Sequence, residues 1–223
     1  SETFYDIRYG KGSEIVDYSH SYNWNDQNDY SLTAAQSVRD VNKLTEYYYG
    51  AYLEEQNKTQ NGLRAEAASF SDLMVRTLTR DVAKDRIESE TFYHIGHEGS
   101  ERFKGQEVSW YTYGYGFSDS GVWQAKNTTV YWYGYENENN EYEYKQASSM
   151  SVNNRTLMYF SSNYQGALSV VVLSDEMHDS YTDLPPDLKS VTVFSTKRGG
   201  TARSSGEEIS DYTLNYVKAG SVA

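Results

Sequence analysis

The residues best equipped for chemistry in this chain are rings. Between positions 109 and 117 the stretch SWYTYGYGF sets Tyr111, Tyr113, Tyr115 and Phe117 at every second position, and VYWYGYENENNEYEY, from 130 to 144, adds Tyr131, Trp132 and Tyr133. Side chains two apart on a strand share a face, so both stretches predict rows of flat apolar rings with polar tips. Such a surface can stack on a sugar ring or bury a flat ligand while offering hydrogen bonds at its rim. The ligand-binding expectation falls on Tyr111, Tyr113, Tyr115, Tyr131, Trp132 and Tyr133. Tyrosine is also a good strand former, and the same pattern fits ordinary sheet packing or an interface with another chain. Gly114, Gly116 and Gly134 lie on the face opposite Tyr113, Tyr115 and Tyr133, and a glycine inside a strand points to a bend, a bulge or close approach by another group, so the sheet is expected to curve and its opposite face to be crossed closely by another segment such as a helix.

Two polar clusters could hold a metal. YHIGHEGSE, from 93 to 101, puts His94 and His97 three apart beside Glu98 and Glu101, which on a helical turn would offer zinc two nitrogens and a carboxylate. Gly96 and Gly99 break that turn, and established zinc helices space their histidines by four. SDEMHDS, from 174 to 180, gathers Asp175, Glu176, His178 and Asp179 after an apolar run. Its carboxylates could bind calcium or serve as acid and base on a glycosidic bond, although the calcium-loop pattern with its central glycine is missing. His94, His97, Asp175, His178 and Asp179 are thus the candidate metal ligands, set against a plainer reading as solvated loop residues. No catalytic residue and no cofactor is expected. There is no cysteine, no G-x-S-x-G turn and no phosphate-cradling glycine loop.

Composition narrows the partners. A net charge of -12 repels nucleic acid and anionic membrane surfaces. No apolar run approaches the 18 or so residues of a membrane span, so no membrane insertion is expected within this segment. A small molecule, a glycan, a basic or neutral protein, or further copies of the chain remain as partners. The absence of cysteine fits an extracellular or periplasmic location.

The elements that must position these residues read as one α+β domain over 1–223. Residues 1–30 alternate as a β-hairpin turning at 10–13. After Ser31, a candidate N-cap, Leu32, Ala35, Val38, Val41, Leu44, Tyr48 and Tyr52 recur at spacings of three and four, which predicts a helix to about Asn57. Leu63, Ala67, Phe70, Met74, Leu78 and Val82 predict a second, making a helical hairpin within 31–90. From 103 to 217 short alternating segments predict an antiparallel meander, with strands near 106–117, 128–137, 141–150, 155–162, 166–174, 188–197 and 209–217. The expected architecture is a helical hairpin packed on a curved, mostly antiparallel sheet.

Three functions fit that reading. The first is a non-catalytic extracytoplasmic recognition module, a sensor-type ectodomain or a secreted ligand- or glycan-binding protein that uses the tyrosine-rich sheet face. The second is a structural subunit of a filament, coat or virion. The third is a carboxylate-based glycoside hydrolase.

Overall fold

The computed structural model describes residues 1–23, 40–50, 62–97, 100–136, 142–168, 187–198 and 201–216, and in these the regular structure is all strand. The first five strands are β1 (Glu2–Asp6), β2 (Ile15–Asn23), β3 (Asp40–Gly50), β4 (Leu73–Asp81) and β5 (Arg86–His94). Two short ones follow, β6 (Gly96–His97) and β7 (Ser100–Glu101), then β8 (Val108–Phe117), β9 (Trp123–Glu136), β10 (Tyr142–Gln146) and β11 (Leu157–Gln165). The last are β12 (Leu188–Ser195), β13 (Lys197–Arg198), β14 (Thr201–Ala202) and β15 (Ile209–Asn215).

Eleven strands form one sheet, in the order β1-β2-β3-β4-β5-β8-β9-β11-β12-β15, with β10 paired to the far end of β9. Every pairing along this path is antiparallel. β6 with β7 and β13 with β14 are separate two-stranded ribbons.

The expected helical hairpin is corrected by this topology. Asp40–Gly50, Leu73–Asp81 and Arg86–His94 are consecutive paired strands, so the described fold is all-β rather than α+β. Residues 31–39 and 51–57 of the expected first helix lie outside the described residues. The apparent helical spacing has a local cause. Leu44 and Tyr48, four apart, share a face in either period. Val41 joins them although it is three from Leu44, because the register shifts where Ser21 and Tyr22 meet Lys43 and Val41. A β-bulge thus puts an odd spacing on one face, as a helix would.

Among the described residues, four small groups of buried side chains lie along the sheet. The largest joins Val130 and Trp132 on β9 to Phe160 and Tyr164 on β11 and Leu188 and Val191 on β12. Each fully buried side chain of this size contributes roughly 1.5–3 kcal/mol. Turns supply the rest of the cover. Ala65 and Ala68 pack on Ile15 and Tyr49, and Ala147 and Val152 pack on Val108 and Tyr133.

The glycines expected under a crossing helix face neighbouring strands instead. A methyl group at Gly134 would stand 2.5 Å from the ring of Tyr159, and one at Gly114 would meet the Asn127 side chain. Gly134→Ala must displace that ring, so it should cost about 1–3 kcal/mol, read from a shifted urea midpoint at unchanged slope. A midpoint equal to that of the parent would show that the ring does not lie over this position.

Candidate functional site

Register assigns every side chain of the main sheet to one of two faces. Following the rungs from β3 to β8, Tyr48 lies opposite Arg76, Arg76 opposite Phe92, and Phe92 opposite Tyr111. The next rung on the same face runs Tyr18, Glu46, Leu78, Glu90 and Tyr113. This aromatic face continues to Phe4 at the β1 edge, where its ring stacks on Tyr18 at 4.5 Å. The other face carries hydroxyls at the matching positions. Thr77, Thr91, Thr112 and Thr129 lie in one row, and Thr3, Ser19, Thr45 and Thr79 in the next.

The six residues expected to form one platform are divided by this pattern. Tyr111, Tyr113, Tyr115 and Trp132 belong to the aromatic face, whereas Tyr131 and Tyr133 point to the hydroxyl face. Burial separates them further. Trp132 is 2% exposed, stacked 5.6 Å from Phe160, and Tyr133 is 7% exposed with its hydroxyl donating to the Ser109 carbonyl at 2.7 Å. Both are packing residues. Tyr111, Tyr113 and Tyr115 stay half-buried. The chain leaving β11 fixes the boundary. Thr128 donates to the Gly166 carbonyl and accepts from the Leu168 amide, and Tyr113 donates to the Leu168 carbonyl at 2.9 Å.

Toward β3 the aromatic face becomes ionic. Arg76 pairs with Glu90 at 2.7 Å, and Tyr115 donates to the other Glu90 oxygen at 3.0 Å. The same guanidinium lies 4.1 Å over the Tyr48 ring, a contact worth about 0.5–2 kcal/mol. Glu46 is held by Arg64 and by Arg80, and Leu78 is buried between the two ion pairs on its rung. These pairs differ in weight from the exposed Lys43 and Glu88 pair, which is worth about 0–1 kcal/mol. Glu90 is 8% exposed. Deleting Arg76 would leave that carboxylate uncompensated, at a cost of about 3 kcal/mol or more.

Chemically the strip can stack on a flat apolar ring through Phe92 and Tyr113 and offer a guanidinium and carboxylates at its side. It is poorly suited to hydrolysis. Glu46 and Glu90 are each committed to arginine, while a glycosidase needs one carboxyl group held protonated as an acid. Phe92, Glu90, Arg76, Tyr48 and Glu46 were not expected here. For Arg76, Glu90 and Phe92 the signal is the alternation in LMVRTLTRD and RIESETFYH; Glu46 and Tyr48 lie on β3, where the spacing also fits a helix.

Of the metal candidates, only His94 and His97 fall among the described residues. His94 lies on β5, edge-on to Trp110 at 5.4 Å, and its Nδ1 accepts the Gly96 amide at 3.3 Å. His97 falls on a separate short strand, so the two histidines do not share a helical turn. Among the described residues no three His, Cys, Asp or Glu side chains come together to hold an ion. Asp175, His178 and Asp179 lie outside the described residues.

Comparison with protein-family models, with curated proteins and with solved structures finds no match, so the site is read from its geometry alone.

Burial makes the tyrosines pH-sensitive. Desolvation, helped by the Glu90 charge, pushes Tyr115 up to about 12 from 10.0. Burial raises Tyr49, Tyr111 and Tyr133 as well. Because these folded values lie above the unfolded one, their stabilisation is complete below the unfolded value, near 10.0, and is lost as pH rises through the folded values. Tyrosinate absorbance should therefore rise in two phases, exposed rings first and buried rings together with unfolding, whereas a single phase near 10.0 would contradict this burial. Tyr133→Ala should cost about 3–5 kcal/mol, and Tyr115→Ala clearly less. Equal losses in urea melts would contradict this difference in burial.

Proposed function

We propose that the chain is a non-catalytic recognition module working outside the cytoplasm, as a sensor-type ectodomain or a secreted binding protein. Its aromatic face binds a flat ligand with polar edges, a glycan before others. One observation carries this reading. Tyr48, Arg76, Phe92 and Tyr111 fall on a single rung, flanked by Glu90, Tyr113 and Tyr115. Rings give the stacking surface for a sugar, and the paired guanidinium and carboxylate give fixed donors and acceptors for its hydroxyls. The groups are already ordered by one another, which lowers the entropy cost of binding.

Further support comes from charge and composition. A net charge of -12 turns the protein away from nucleic acid and anionic lipid, and a cysteine-free chain suits an oxidising compartment. No helix among the described residues is long and apolar enough to cross a membrane.

The test is a glycan array followed by titration of the best binder. Tyr113→Ala and Arg76→Lys should each weaken binding about tenfold or more, the loss of a contact worth about 1.4 kcal/mol. Tyr131→Phe, on the opposite face, should leave it unchanged. Retention of no glycan, or equal effects from both faces, would sink the proposal.

A further inference from the structure

The two edges of the main sheet carry an inference of their own. All seven residues of β15 are exposed, among them Ile209 (56%), Tyr212 (52%) and Leu214 (38%). At the other edge the first four residues of β1 are exposed, including Phe4 and Tyr5. Among the described residues, β15 pairs only with β12 and β1 only with β2. An edge with free amides and carbonyls and apolar side chains is a template for another strand.

Polarity and side chains say which strand fits. The path from β1 to β15 contains ten strands, each antiparallel to the last, so β15 runs opposite to β1. A second copy set beside the first in the same orientation therefore presents β1 antiparallel to β15, with each face meeting its own kind. The hydroxyl face ends in a rung of the same type at both edges. Thr192 and Thr213 share a hydrogen bond at 3.0 Å next to one edge, and Thr3 and Ser19 share one at 3.0 Å next to the other. Rungs of this type recur inside the sheet, at Thr45 with Thr79 (3.1 Å) and Thr91 with Thr112 (2.8 Å).

We propose that copies of this chain associate head to tail, β15 of one pairing antiparallel with β1 of the next, with Thr213 opposite Thr3. That register sets Tyr212 against Phe4, which already stacks on Tyr18, and so extends an aromatic row across the junction. It places Asp211 opposite Tyr5, Ser210 opposite Asp6 and Leu214 opposite Glu2, so no carboxylate faces another directly. A symmetric β1 pair centred on Phe4 would oppose Glu2 and Asp6 twice, a repulsive arrangement. The contact is heterologous and leaves both outer edges open, so it propagates instead of closing as a dimer.

The test uses the chain's lack of cysteine. Thr3→Cys and Thr213→Cys variants, both at exposed positions, are oxidised separately and mixed. The proposal expects disulfide dimers from the mixture, little cross-linking of either variant alone, and a ladder of covalent oligomers from the double variant. Sedimentation of the unmodified chain should show an open series of species, growing with concentration and with salt as like charge is screened. Replacing Tyr212 and Leu214 together with Lys should weaken association about tenfold or more while leaving the thermal midpoint unchanged. A monomer at every concentration overturns the proposal. So does cross-linking of Thr213→Cys alone as efficiently as the mixture, which would mean a symmetric pair. A double variant that closes within one monomer would also overturn it, since the two edges would then meet inside a single chain.

Discussion

Cross-strand register is the constraint on which everything else depends. Among the described residues no helix lies against the sheet, and the extensive contacts between strands are all with hydrogen-bonded neighbours. Among the described residues, shelter for each face comes from its own side chains and from short turns. A slip of one residue in any pair would exchange the two faces of every strand beyond it. The rungs resist such a slip because unlike chemistries lie on the two sides. Arg76 meets Glu90 and Phe92 meets Tyr111 on one face, and Thr91 bonds Thr112 on the other. Each rung is worth only about 0.2–1 kcal/mol, so it is their number that fixes the register.

That economy also accounts for how the protein carries its polar groups. Arg76, Glu90, Arg64 and Glu46 occupy positions where a two-layered fold would place aliphatic side chains. They satisfy one another at their tips, with buried Leu78 between Glu46 and Glu90 on its rung. The result is a face neither dry nor fully solvated, half aromatic and half ionic, and already ordered.

The sequence revealed one part of this and concealed another. From Val108 onward alternation and turn residues mark the strands, although the expected strand near 166–174 is not strand at 166–168 and otherwise lies outside the described residues, and the two-residue period of SWYTYGYGF puts Tyr111, Tyr113 and Tyr115 on one face, where they lie. Between 40 and 94 the period was misread. Leu44 and Tyr48 fit helix and strand alike, and a bulge brought Val41 into line with them. The β-branched residues Val75, Thr77 and Thr79 were the better guide there, since they alternate along β4. Nor could alternation show that Trp132 faces one way while Tyr131 and Tyr133 face the other in relation to Tyr111. That follows from pairing between strands, which no single segment encodes.

β3, β4, β5 and β8 are registered so that Tyr48, Arg76, Phe92 and Tyr111 share one rung of one face. The most direct measurement is of proton contacts in solution, by nuclear Overhauser spectroscopy with selectively labelled tyrosine, phenylalanine and arginine. Contacts running from Tyr48 to the Arg76 side chain and from Phe92 to Tyr111, with cross-strand backbone contacts between Thr77 and Thr91, are the expected result. Contacts between residues three and four apart along 73–81, with none across to 86–94, would restore a helix there and contradict the account.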